Sequence, residues 1–272
     1  MLEVLVKTVR NIATATATGL LIGGLALGGT ATASPAHTAT PKAEATAASC
    51  FADASSKILT VQQNIEATVG NLKVADENLE ADDYQSNNYS ADLKENIELS
   101  QEKSEAAKTL VASALLIAED RYGSIEKLND AVSKAKAQLD AATKAYKEIV
   151  EKEKKGEISG EEAEKAKKKA ADAVAEATGA YNEKLSDLST VVKLLQTARN
   201  VNGEGRDAAK AGLNNLMQAK DAGYPPANNE EIKDALINAN KSALKADQGL
   251  EEILAGDCSE LVDQPGTKPG TN

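Results

Sequence analysis

The chain is 272 residues long, with 31 Lys and Arg against 42 Asp and Glu, one His, two Cys, one Phe, six Tyr and no Trp. Its net charge of −11 disfavours nucleic acid and anionic lipid as non-specific partners, because both are polyanions. The single imidazole, His37, stands in a segment with no large apolar residue, which excludes Ser-His-Asp and Cys-His triads, His-based zinc sites and His-ligated haem.

The N-terminus reads as an export signal. Lys7 and Arg10 precede an apolar run from Gly19 to Leu27, and Ala31-Thr32-Ala33 has the small-x-small form cut by signal peptidases. Residues 1–33 are thus expected to be removed, and the protein to be secreted or otherwise extracytoplasmic. The run is well short of the roughly 20 residues needed to cross a bilayer. Residues 34–49 are Ala, Thr, Pro, Ser, Lys, Glu and His, and cannot bury enough surface to offset their ordering entropy, so a disordered lead is expected.

From Phe51 the pattern changes. Phe51, Ala54, Ile58, Val61, Ile65, Thr68, Leu72, Ala75 and Leu79 alternate three and four apart, the spacing of one helix face, and predict a first helix ending near Glu80. Asp82 to Ser90 is rich in Asp, Asn and Ser, whose short side chains compete for backbone hydrogen bonds, and predicts an exposed turn. Asp83, Gln85 and Asn87 alternate there, but the central Gly and terminal Glu of a calcium loop do not follow. Tyr84 and Tyr89 in that turn are candidate partner contacts, because exposed aromatics carry interface energy.

A second helix is predicted from about Ala91 to Asp120. Residues 109–118 contain no charge, and a helix apolar on every side is normally buried all round. The alternative is a membrane-active segment through Leu110, Val111, Leu115, Leu116 and Ile117. Ten residues span only about 15 Å of a roughly 30 Å hydrocarbon layer, which favours core.

Ser124 to Arg199 predicts two long helices folded back around Lys155–Gly160. Ile125, Leu128, Val132, Ala135, Leu139, Ala142, Tyr146 and Ile149 form an unbroken heptad seam. Val174, Thr178, Tyr181, Leu185, Leu188, Val192 and Leu195 resume it on the way back. Ser159 and Glu162 have the spacing of a capping box. The tip, residues 147–169, holds eight Lys and seven Glu. Glu148–Lys152, Glu151–Lys155, Glu161–Lys165 and Glu164–Lys168 stand four apart in the favoured order. Lys155, Glu157 and Lys168 are candidate partner-binding residues on this tip.

Asn200 to Gly205 carries two Gly and two Asn and predicts a break before a short fifth helix. Gly223-Tyr224-Pro225-Pro226 ends that helix, and Asn228 or Asn229 caps a sixth. Its face is Ile232, Leu236, Ala239, Ala243, Ala246, Leu250 and Ile253. Residues 259–272 are expected to form a disordered tail. Cys50 and Cys258 flank the helical domain at 50–258. In an exported chain, an even pair predicts a disulfide tying the first helix to the last.

The fold class read from these patterns is all-α: an elongated antiparallel bundle of about six helices, with a coiled-coil-like hairpin and disordered tails. Thiol chemistry is excluded by the disulfide, and sugar chemistry is disfavoured by exposed carboxylates without a stacking Trp. The expected role is therefore non-catalytic binding of a protein or envelope partner, in the manner of an adhesin, by a monomer without cofactor or metal. Alternatives are a membrane-active, pore-forming or co-haemolysin-like protein, the only reading that needs membrane contact, and a passive structural spacer.

Overall fold

The computed structural model describes residue 51, residues 53–80 and residues 88–255. The expected signal peptide and lead, Cys50, Tyr84, Cys258 and the tail lie outside the described residues. The described chain is all-helical, with α1 Ala54–Glu80, α2 Asn88–Tyr122, α3 Ile125–Lys154, α4 Gly160–Asp221 and α5 Asn229–Leu254.

The outer helices follow their apolar spacing closely. Every position of the predicted α1 face from Phe51 to Leu79, and every position of the α5 face from Ile232 to Ile253, is buried. The two helices run antiparallel, with Lys57 near Glu252 at 3.8 Å and Thr68 Oγ1 3.5 Å from the Ala239 carbonyl. They approach so closely that a Cβ on Gly249 would sit 2.6 Å from Val61 Cγ2. Small residues at the crossing let the backbones near one another, so the net negative charge on both helices does not keep them apart.

The predicted fourth and fifth helices are one. Asn200 to Gly205 lies inside α4, which runs 62 residues without interruption. The Gly and Asn residues that resemble a break are packing devices. Gly205 lies against α2, where a Cβ would meet Lys103 Cβ at 3.0 Å and the Ser100 carbonyl at 3.2 Å. Its own carbonyl accepts a hydrogen bond from Ser100 Oγ at 2.7 Å. Asn202 is fully buried and donates to the Ala243 carbonyl at 2.9 Å and to Asp247 Oδ1 at 2.7 Å. Tertiary contacts on both sides thus outweigh the modest helix penalty of these residues. Five helices, not six, are found among the described residues.

Turns set the directions. Gly156 and Gly223 have φ of +72° and +82°, a left-handed conformation that Gly adopts at little cost. In each, the next N–H reaches back to close the helix: Glu157 to the Lys152 carbonyl and Tyr224 to the Ala219 carbonyl. Ser124 caps α3, its hydroxyl accepting from the Lys127 N–H at 3.2 Å. Ser159 holds the N-cap position of α4 with extended backbone, but its side chain makes no capping hydrogen bond. The expected capping box with Glu162 is therefore absent.

One cap comes from a distance. Glu126, in the first turn of α3, accepts from both the N–H and the hydroxyl of Ser55 at 2.6 Å each, placing a carboxylate on the positive N-terminus of α1. Burial opposes ionisation of Glu126, but the Ser55 hydrogen bonds prevail and bring its carboxyl down from 4.5 to about 2. A depressed carboxylate stabilises the fold above its unfolded value and loses that contribution as pH falls through the folded one. Glu126→Ala is expected to cost about 1 kcal/mol at neutral pH, as for a lost N-cap. The difference from the parent should shrink as pH falls from 4.5 towards about 2, read by urea denaturation at each pH.

Candidate functional site

The helices divide into a four-helix body and a two-helix arm. The body is α1, α2, α5 and the C-terminal part of α4, where Leu188, Val191, Val192, Leu195 and Ala198 are fully buried. The arm is α3 against the N-terminal part of α4. The last buried position on α3 is Ala135. Beyond it Leu139, Ala142, Tyr146 and Ile149 are only half-buried, as are Val174, Thr178, Tyr181 and Leu185 opposite. Two helices can shield only a stripe between them, whereas four enclose a core. On the α4 side of the arm Ala163 and Ala170 are buried, Ala166 is half-buried and Ala173 is exposed.

The arm is rooted by a polar clasp that sequence spacing does not reveal. Arg121, at the end of α2, bonds Glu183 and, at 2.5 Å, Asp187 of α4. The Tyr122 hydroxyl donates to Asp187 Oδ2 at 2.7 Å. Burial, with Asp187 beside it, pushes the Tyr122 hydroxyl up to about 12. These partners stand more than sixty positions apart in sequence, so no local pattern signals them.

At the tip, the ion pairs differ from the expected set. Glu161–Lys165 forms at 2.6 Å, but Glu151 pairs with Lys154 at 2.9 Å and Glu164 with Lys167 at 2.6 Å. Lys167 is chosen over Lys168 because it faces α3, where Glu153 supplies a second carboxylate at 2.9 Å. Those two carboxylates hold the Lys167 ammonium well above its usual range. Lys155 and Glu157 come together in the exposed turn, and Lys168 is exposed on α4. Tyr89 is not in a turn: it lies half-buried in the first turn of α2, at the end of the body remote from the arm root. Lys155 and Glu157 thus share the turn that follows α3, Lys168 stands beyond it on α4, and Tyr89 belongs to the body.

Charge separates arm from body as well. Residues 136–180 hold ten Lys and ten acids, so the whole excess of −11 belongs to the remainder. A neutral arm can meet a partner of either sign without long-range repulsion.

The uncharged stretch 109–118 is buried on one face, not all round. Val111, Ala114 and Ala118 are fully buried, Leu110, Leu115 and Ile117 pack partly against the core, and Leu116 is 50% exposed. Its outward positions include Thr109 and Ala112, small side chains that tolerate water, which is why absence of charge does not mean burial here.

Concave features are shallow. One groove of about 240 Å³ is lined by Leu216, Met217, Lys220, Asp221, Asn229 and Lys233, and another of about 340 Å³ lies between α1 and α5 beside Gly249. Among the described residues, no group of His, Cys, Asp and Glu is arranged to hold a metal ion, and no helix is long and apolar enough to cross a membrane. No family model, curated protein or solved structure matches the chain.

Proposed function

We propose that the protein is an exported, non-catalytic binding protein that presents the α3–α4 arm to a protein or envelope partner. The observation that carries this reading is the division of α4. Its C-terminal part is buried and bonds α2 at Ser100 and α5 at Ala243, while its N-terminal part runs beside α3, bonds it at Glu153 and keeps a half-exposed apolar seam. Maintaining a long paired extension with a cross-helix ion pair at Lys167 adds little to body stability, since exposed pairs are each worth about 0–1 kcal/mol. Such an extension is explained by contact with something else. In this reading the arm is a coiled-coil hairpin, the seam supplies apolar contact, and Lys155, Glu157 and Lys168 supply polar selectivity.

The test shortens the arm by two heptads on each helix, removing residues 141–154 and 166–179 so that the seam stays in register. The intact chain is expected to retain envelope material saturably, and the shortened chain to lose it while keeping the cooperative melting of the body. Equal retention by both would overturn the proposal. Dye-loaded liposomes separate the membrane-active alternative. The apolar side chains of residues 109–118 are largely committed to the core, so no leakage is expected from the folded chain.

A further inference from the structure

The body contains two apolar cores, and a polar layer divides them. The first joins Ile58, Val61 and Ile65 of α1 to Val111, Ala114, Leu188, Leu195, Ala246 and Leu250, and includes the start of α3. The second, remote from the arm, joins Leu72 and Leu79 to Leu93, Ile97, Leu216, Ile232 and Leu236. Between them every helix of the body turns polar or small. α1 contributes Thr68, α2 contributes Ser100 and Ser104, α4 contributes Asn202, Gly205 and Arg206, and α5 contributes Asp247 and the Ala243 carbonyl.

This layer is only partly satisfied. Asn202 donates twice and Arg206 Nη1 reaches Asp247 Oδ2 at 2.6 Å. Yet Ser104 Oγ and Asn202 Oδ1 are buried without a hydrogen-bond partner among the described residues. Such orphans make an opening cheaper when it reaches them, because water then supplies the missing bonds. An opening that starts at the remote end gains hydration at the layer, and further opening must break the larger core. The layer is therefore a natural stopping point.

We infer that the remote half of the body is an independently opening unit, bounded by the Thr68–Ser104–Asn202–Asp247 layer, that can separate while the arm-side half stays closed. Two further features set the order of opening. Among the described residues the remote core is the smaller, with eleven buried residues against twenty, and the arm-side core adds Ile125, Leu128 and Val132 from α3. The arm-side half is also clasped by the Glu126–Ser55 and Arg121–Asp187 contacts. Local openings of this kind expose apolar interior without global unfolding.

Native-state hydrogen exchange on the full chain, read by mass spectrometry, tests the inference. Amides in 70–80, 88–98, 208–221 and 229–241 are expected to exchange as one group, at least tenfold faster under opening-limited equilibrium than those in 55–66, 105–121, 188–199 and 245–253. Equal protection of the two groups, or the reverse order, would overturn it. The role of the layer is tested by combining Asn202→Leu, Arg206→Met and Asp247→Leu in one variant, since apolar residues of similar volume often replace a whole buried polar cluster without loss of stability, whereas removing one partner does not. That variant is expected to bring the two groups within about threefold of each other. A gap that stays as wide as in the parent would show that the layer is not the boundary.

Discussion

Gly205→Leu is expected to lower the melting temperature by roughly 6–12 °C, taking about 2–4 °C per kcal/mol for a chain of this size. The position is closed on the α2 side: a Cβ there meets Lys103 Cβ at 3.0 Å and the backbone carbonyl of Ser100 at 3.2 Å. A long side chain can tip aside, but the Ser100 carbonyl belongs to α2 itself and moves only with the helix. Overpacking of this kind costs about 1–3 kcal/mol. Separation of the helices also breaks the 2.7 Å bond from Ser100 Oγ to the Gly205 carbonyl, and an unsatisfied buried group costs about 1–3 kcal/mol more. The gain in helix propensity, about 0.8 kcal/mol, offsets only part, leaving a loss of about 3 kcal/mol. Gly179 is the control. It lies exposed in the same helix, and a methyl group there would meet nothing within 4 Å, so Gly179→Ala should stabilise by about 0.5–1 kcal/mol. Thermal melts of the two variants should therefore move in opposite directions.

The second large effect is expected at Asp247, which is 8% exposed and holds both Asn202 and Arg206. Asp247→Ala removes the anion and leaves two donors behind. Breaking a fully buried pair costs about 3–5 kcal/mol, but Arg206 retains 23% of its side-chain exposure and can turn towards water. A loss of about 2–3 kcal/mol is therefore expected, visible in urea melts. Asp247→Asn should cost less, since an amide still accepts from Asn202. The pH dependence has the opposite sign to that of Glu126. Burial raises the Asp247 carboxyl above its usual 3.8, against the lowering influence of Asn202 and Arg206. The folded state then holds the proton more tightly than the unfolded one, so this residue's contribution declines as pH rises from 3.8 through the raised value. Asp247→Asn removes that decline.

How much of this was legible in the sequence varies with the range of the interaction. The faces of α1 and α5 could be read residue by residue, because three-and-four spacing records burial directly. The reversal at Lys155–Gly160 was equally plain, since a Gly in a charged run marks a turn. Asn200–Gly205 misled for a physical reason: Gly and Asn loosen a helix in isolation, and only the neighbours at Ser100 and Asp247 show why they are tolerated. The arm tip was readable as a charged element, but its pairing was not, because Glu153 reaches Lys167 across the hairpin. Glu126, Arg121 and the polar layer depend on partners from other helices, and no local window contains them. Residues 109–118 show the complementary limit, in which uncharged small residues are compatible with either core or surface.

The uninterrupted course of α4 gives the molecule a lever. A single rod of 62 residues, about 93 Å at 1.5 Å per residue, is free of a joint between the tip and the interior of the body. A load applied near Lys168 is not absorbed by a hinge on the way; it arrives as torque at Leu188–Ala198, with the Arg121–Asp187 clasp as fulcrum. On the proposed role of the arm, holding a partner at one extremity would strain the interior at the other.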